Sequence, residues 1–424
     1  MLLLFALLPL QWFGVAATPL GQGRLHQIVM IGFALAVLTR YRPSTYAPVL
    51  RAARVFVIAS LYMVAAIVAV AAYRGSGPED GIRQAIYLMI FLAMGGFFCR
   101  VARGFEPRAL NALRLAVAVT CVSLLVGFSL AMAVNGVNPA AVFAESIAAA
   151  DPEIFQKEVF KSAFAGFGLD EEMVKGNLRH EIFGCVLLSM LVSTWAMRVG
   201  RVPSQAQVRV YRAAMVLGVV WMTISLSRSI LIAAAVWPLL AVLRSSRRGE
   251  LSTRQVAILF GSAAAVGVVL ASGLGAVLVN RFVSDTTGYE ARAENYGGAF
   301  AAIPDHWLVG GFGTAGVSSH NFVVDTLLRD GIFAAVPAAV MVLTLLVVFA
   351  LMAMRLHRLP AALVPVVAAL ALPLVRAGTS GGGLIPPVEW VALGFTAGVL
   401  AAWRLSERAS EPAEQKRSLA GAGV

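Results

Sequence analysis

The chain has 424 residues, of which 59% are hydrophobic and only 13% are charged. Soluble domains carry about 25% charged residues, so this composition excludes an ordinary soluble protein and predicts one that lipid solvates. The net charge of +12 lies in short segments between apolar runs. This placement excludes a nucleic-acid-binding interpretation and is typical of the basic loops of membrane proteins.

Continuous apolar runs of about twenty residues predict helices that cross about 30 Å of hydrocarbon. The sequence is therefore predicted to fold as an all-α polytopic membrane protein with about twelve transmembrane helices in one domain, 1–406. The polar segment 407–424 is predicted to be a disordered cytoplasmic tail. In chain order, the predicted spans are 2–19, 25–39, 52–73, 82–99, 110–134, 178–197, 211–226, 229–243, 255–279, 332–354, 359–375 and 388–403.

The basic residues test this arrangement, because loops on the cytoplasmic side are enriched in arginine and lysine. Arginines crowd every second loop, and acidic residues favour the loops between, so both termini are predicted to be cytoplasmic. Two outside segments, 135–177 and 280–321, are too long for simple turns and are predicted to carry function. The arginines predicted to lie inside include Arg40, Arg42, Arg100, Arg103, Arg198, Arg201, Arg244 and Arg247.

Candidate catalytic chemistry is concentrated in the second long segment. His320 follows a glycine-rich run and precedes the tenth predicted span. A neutral imidazole accepts a proton from a hydroxyl near neutral pH, so His320 is a candidate base. The alternative is a loop histidine with no chemistry. The chain has no GxxxxGK[ST] phosphate loop and no HExxH or paired CxxC metal site.

Four arginines on the predicted outer side are candidates for binding phosphate. Arg228 lies between two apolar runs, Arg281 and Arg292 lie in the second long segment, and Arg179 follows the first. Guanidinium groups bind phosphate oxygens through two parallel hydrogen bonds, so together these residues predict a pyrophosphate site without a metal ion. Each arginine taken alone is also typical of an exposed surface charge.

Three short segments resemble the O-antigen ligase and polymerase superfamily of bacterial envelope glycosyltransferases. Ser227-Arg228-Ser229 is similar to the family's Ser-Arg-Gly segment, with Ser229 in place of glycine. Arg292-Ala-Glu-Asn-Tyr296 and Gly311-Phe-Gly313 resemble its Arg-x-x-x-Trp and Gly-x-Gly loop, with Tyr296 in place of tryptophan. His320-Asn321 and Leu328-Arg-Asp330-Gly331 resemble its His-Asn and Gly segment.

This resemblance implies a GT-C-like, inverting, metal-independent glycosyltransferase of the bacterial inner membrane that needs no cofactor. Its donor would be a polysaccharide on undecaprenyl pyrophosphate, and its acceptor a sugar hydroxyl of lipid A–core at the periplasmic face. The catalytic residue would be His320. The donor pyrophosphate would be bound by Arg228, Arg292, Arg179 and Arg281, with supporting roles for Asn321, Tyr296, His180 and Asp330.

Three other functions stay open. An O-antigen polymerase uses the same donor, and the sequence does not separate it from a ligase. A protein O-oligosaccharyltransferase usually carries a further soluble C-terminal region, whereas this chain ends about twenty residues after its last predicted span. A lipid-linked glycan transporter or flippase would place polar residues or broken helices near the middle of the membrane, whereas these predicted spans are largely free of charge there and polar residues gather at the outer face.

Overall fold

The computed structural model describes residues 2–10, 14–18, 21–134, 136–149, 154, 177–224, 227–249, 287–312, 319, 321–379 and 387–421. At 14–18, 21–27, 177–180, 224, 287–293, 379 and 408–421 the description covers the backbone alone. His320, Arg281, most of segment 135–177 and the predicted span 255–279 lie outside the described residues.

The described chain is helical apart from one short hairpin. Strands β1 (Gly14–Thr18) and β2 (Gly21–Arg24) pair in antiparallel fashion. In chain order, the α-helices are α1 (Leu2–Leu7), α2 (Leu25–Arg40), α3 (Ala47–Ala52), α4 (Arg54–Tyr73), α5 (Glu79–Ala102), α6 (Pro107–Arg114), α7 (Ala116–Val134), α8 (Pro139–Ala148), α9 (Asn177–Arg198), α10 (Gln205–Ile224), α11 (Arg228–Arg247), α12 (Thr287–His306), α13 (Phe322–Asp330), α14 (Ile332–Met354), α15 (Val364–Ala368), α16 (Ala371–Thr379) and α17 (Pro387–Gly421).

Eight helical segments within the described ranges are long and apolar enough to cross a membrane. Each has at least 18 residues, or about 27 Å of helix, which approaches the thickness of the hydrocarbon core. A helical architecture with several membrane-length helices is therefore confirmed for the described residues, while the count of twelve stays a prediction. The eight are α4, α5, α7, Glu181–Arg198 of α9, α11, α14, the interrupted segment Ala361–Gly378 and Pro387–Glu407 of α17.

The first predicted span, 2–19, is not one helix. Helix α1 ends at Leu7, and β1 (Gly14–Thr18) lies within the second half of the predicted span. Pro9 disfavours helical backbone in the residue before it, and the glycines between positions 14 and 23 have low helix propensity. The prediction of a continuous helix over 2–19 was therefore wrong.

Two other predicted spans are interrupted. The run 110–134 divides at Leu115 into α6 and α7. The run 359–375 divides into a short 3-10 turn, Ala361–Leu363, followed by α15 and α16. Pro365 and Pro373 lie within this second run, and proline cannot donate the backbone hydrogen bond that a continuous helix requires.

The predicted disordered tail is helical along the backbone as far as Gly421. Alanine, glutamate, glutamine, lysine and arginine dominate this segment, and all have high helix propensity. Because α17 is already formed, its extension needs no new nucleation. The disorder expected from position 407 stays a prediction.

The centre of the bundle is the packing of α5 against α17. A Cβ at Gly398 would overlap the carbonyl oxygen of Gly95, so only glycine permits this approach of the two backbones. Trp390 is fully buried, and its ring lies 5.6 Å from that of Phe56 and 6.4 Å from that of Phe91. Helix α9 is also largely buried, whereas α7, α11 and α14 expose apolar side chains as lipid-facing helices do.

Polar contacts between loops fall into two sets, one at each end of the bundle. We call the end that holds α13 and the start of α14 the α13 end, and the other the opposite end. At the opposite end, arginines donate to backbone carbonyl groups of the segment between α14 and α15. These bonds join Arg198 to Ala361 (2.8 Å), Arg244 to Leu359 (3.1 Å) and Arg248 to His357 (2.7 Å). The arginines that donate these bonds come from loops that the sequence predicts to lie on the same side.

Candidate functional site

The α13 end is organised around α13 and the segment that follows α12. The backbone N–H of Gly311 donates to the carbonyl of Arg329 at 3.0 Å, and that of Phe312 donates to Leu328 at 3.1 Å. These bonds attach the segment to the last turn of α13. The backbone that leads into the glycine-rich part of the predicted site is therefore held on α13.

Two glycines permit this attachment. Gly310 has φ +67° and Gly331 has φ +77°, in the left-handed region that side chains with a Cβ rarely adopt. A Cβ at Gly310 would overlap the carbonyl oxygen of Arg329, and one at Gly331 would overlap that of Leu308. Both positions therefore require glycine for space as well as for backbone conformation.

The backbone on both sides of position 320 is held on α13. The carboxylate of Asp325 accepts hydrogen bonds from the N–H and the hydroxyl of Ser319, both at 2.7 Å. Asn321 is the N-cap of α13, and its side chain accepts from the N–H groups of Val323 and Val324. Ser319 and Asp325 are both buried. His320 lies outside the described residues, but both of its neighbours have fixed positions.

An ionic network joins α13 to the ends of α4 and α5. Arg329 pairs with Asp330 at 2.9 Å and with Asp80 at 3.4 Å. Arg74 donates to the carbonyl of Arg329 at 2.8 Å. Burial raises the pKa of Asp330 above its ordinary value, and Arg329 offsets part of this rise. The contacts of Arg329 with Asp80 and Arg74 thus hold α13 against the ends of α4 and α5.

Arg228 begins α11 and is half-buried. Its neighbours Ser227 and Ser229 are buried, with their hydroxyl oxygens 3.4 Å apart. In the same turn, Ile230 approaches Gly184 of α9, with 3.8 Å between its terminal carbon and a Cβ placed at that glycine. The start of α11 therefore lies beside the first turns of α9.

A buried charge cluster of Arg376, Glu389 and Glu181 lies close by. The Nε of Arg376 is 3.4 Å from Glu389, and its Nη2 is 3.8 Å from Glu181. Arg376 is 6% exposed and Glu389 3%. Within the described part of the chain, the Nη1 of Arg376 and the Oε2 of Glu389 find no hydrogen-bond partner, although both atoms are buried.

Sequence reasoning missed this cluster as a candidate site. The signal was present, because Glu389 falls inside the predicted span 388–403, Glu181 inside 178–197, and Arg376 one residue after 359–375. Ionisable residues within membrane spans are costly and usually functional. The expectation that the spans are largely free of charge in the middle of the membrane did not foresee a buried cluster of this kind.

Two of the helices that carry predicted site residues, α11 with Arg228 and α13 with Asp330, contact α16. Arg179 and His180 lie in the first turn of α9 and Arg292 lies in α12, each described by its backbone alone. Tyr296 is half-buried and stacks on Phe300, with ring centroids 6.3 Å apart. Arg281, like His320, lies outside the described residues.

Among the described residues, no group of three His, Cys, Asp or Glu side chains is arranged to hold a metal ion. Comparison of the chain with protein-family models and with curated proteins found no match.

Proposed function

We propose that this chain is an O-antigen ligase, which transfers polysaccharide from undecaprenyl pyrophosphate to a sugar hydroxyl of lipid A–core. The observation that carries the proposal is the convergence of three motif segments at one end of a bundle of membrane-length helices. Ser227-Arg228-Ser229 begins α11, Tyr296 lies on α12 and Asn321 caps α13. Helix α12 contacts α13, and both α11 and α13 contact α16.

The proposed reaction is a single displacement at the anomeric carbon of the donor sugar. The acceptor oxygen bonds to this carbon as the bond to the pyrophosphate oxygen breaks, which inverts the configuration. The acceptor proton passes to His320, and undecaprenyl pyrophosphate leaves with the bonding electrons. The anchoring of Ser319 and Asn321 supports this role for His320, because a general base must be held within hydrogen-bond reach of its proton.

The leaving pyrophosphate gains negative charge as its bond to the sugar breaks. Arg228 and Arg292, with Arg179 and Arg281, are proposed to stabilise this charge through guanidinium hydrogen bonds. The half-buried position of Arg228 supports the assignment, because an arginine partly shielded from water interacts more strongly with phosphate. GT-C-like architecture and the bacterial inner membrane, with the site facing the periplasm and both termini cytoplasmic, belong to the same proposal.

Transport of a lipid-linked glycan is a second candidate, and a specific observation favours it. Transporters often place ionisable residues and interrupted helices inside the membrane. The described structure has both, since the segment that contains α15 and α16 is interrupted and Arg376 forms buried pairs with Glu181 and Glu389. A polymerase would use the same site as the ligase, with a growing glycan as acceptor.

A reconstituted reaction separates these functions. Purified protein in detergent is incubated with undecaprenyl-pyrophosphate polysaccharide, lipid A–core and EDTA, without nucleotide. We expect a ladder of polymer-capped lipid A–core from the wild type and none from His320→Ala, with the ladder kept by the control His357→Ala at the opposite end. Longer donor chains without the ladder would identify a polymerase. Unchanged lipids with folded protein would reject both, and donor movement across vesicle membranes would then support transport.

A further inference from the structure

A cleft at the opposite end of the bundle lies between α3 and α17. It holds about 440 Å³ of space that no protein atom fills, part of it open to solvent. The two helices are far apart in the chain, so only the folded structure forms the cleft. Its lining residues are Pro48, Arg51 and Ala52 from α3 and Ala401, Arg404 and Leu405 from α17.

Two arginines give the cleft its charge. Arg51 and Arg404 are both exposed, and Arg51 uses its Nε to donate to the carbonyl of Ala47 in its own helix. Neither forms an ion pair with a described acidic residue. Their terminal guanidinium nitrogens are therefore available to an anion, and the guanidinium fork suits phosphate oxygens.

The position of the cleft identifies the kind of anion. Helix α4 begins at Arg54, directly after α3, and is long and apolar enough to cross a membrane. The cleft thus lies where a span begins, at the level of lipid headgroups. Its other four lining residues are apolar, as the glycerol and first acyl carbons of a lipid would require. On α4, Val55 and Ile58 are exposed, as side chains that face lipid are.

We infer that this cleft binds the phosphate headgroup of an anionic phospholipid. Two arginines complement a phosphodiester with a neutral alcohol, such as phosphatidylglycerol. They disfavour phosphatidylcholine, because its choline cation would be placed beside two positive charges. Basic clefts between helices at the membrane surface are known to bind anionic lipids in this way. The inference does not rest on the proposed function, which concerns the α13 end.

Native mass spectrometry of the purified full chain tests the inference. Protein is titrated with phosphatidylglycerol or phosphatidylcholine, and bound lipid is counted for the wild type and for R51Q/R404Q. The control R209Q/R212Q removes two exposed arginines near the start of α10 that do not line the cleft. Each arginine near an anionic headgroup contributes roughly fivefold in affinity, so we expect about thirtyfold weaker phosphatidylglycerol binding in R51Q/R404Q alone.

Three results would overturn the inference. One is unchanged phosphatidylglycerol binding in R51Q/R404Q, and another is an equal loss in R209Q/R212Q. The third is displacement of the lipid by millimolar inorganic phosphate, which would assign the arginines to a free anion. If the double variant fails to fold, the single variants R51Q and R404Q are each expected to weaken binding about fivefold, and unchanged binding in both would equally overturn it.

Discussion

Alanine at Gly310 is expected to destabilise the α13 end strongly. The residue has φ +67°, a conformation that costs an alanine about 1–2 kcal/mol. The added Cβ would also overlap the carbonyl oxygen of Arg329, which accepts hydrogen bonds from Gly311 and Arg74. Because this neighbour is backbone and not a flexible side chain, the two segments must separate, at a further cost of about 1–3 kcal/mol. Together these effects lower the free energy of unfolding by about 2–5 kcal/mol.

Gly75 provides a matched control for this substitution. Its φ is +66°, almost the same as at Gly310, but a Cβ placed there meets no atom within 4 Å. Gly75→Ala therefore carries the conformational cost alone, about 1–2 kcal/mol. The difference between the two variants isolates the overlap with Arg329.

Thermal or denaturant unfolding of both variants in the same detergent measures this difference. Gly310→Ala should unfold well before Gly75→Ala, and under the proposed function its ligase activity should also fall, since the segment that leads to His320 is displaced. If the two variants unfold within about 0.5 kcal/mol of each other, the attachment of the 307–312 segment to α13 contributes little to stability, and the reasoning about the α13 end is refuted.

Three further predictions concern buried polar groups. Asp325→Ala removes two hydrogen bonds to Ser319, so unfolding measurements should show a loss of about 2–4 kcal/mol, and a loss below about 1 kcal/mol would contradict the assigned anchoring. Because burial raises the pKa of Asp330 above the 3.8 of the unfolded chain, its ionisation opposes folding. The stability of the wild type relative to D330N should therefore fall as pH rises through the window above 3.8, and a rise would refute this sign. Arg376→Met should cost about 3–5 kcal/mol by leaving Glu389 buried without its cation, whereas the double variant with Glu389→Leu should recover most of the loss. An additive double variant in this unfolding cycle would show that the two side chains do not interact.

The observed helices that agree best with the predicted spans are those with long, uninterrupted apolar runs. The predicted span 332–354 coincides with α14, and 52–73 nearly coincides with α4. The length of an apolar run is a local property that the hydrocarbon thickness sets, so the sequence reveals it directly. Run length did not predict the end of α1 at Leu7, because the proline and glycines that follow outweigh the apolar composition there.

The candidate site was predictable only in part. Asn321 was expected to play a supporting role, and the structure gives it the helix cap that its residue type favours. The anchoring of Ser319 by Asp325 was not foreseen, because a sequence does not show which carboxylate turns toward the preceding loop. The roles of His320, Arg281, Arg292 and Arg179 stay predictions.

The sequence by itself determined the helical class of this protein and its long apolar helices, because hydrophobicity acts residue by residue. Only the tertiary structure decided which charges meet. Arg329 and Asp80 are 249 positions apart in the chain, and Arg51 and Arg404 are separated by 353. These distant residues come together because burial of the apolar helix faces fixes the helices side by side and brings their ends together. The polar groups at those ends then pair with whichever neighbours the packing supplies.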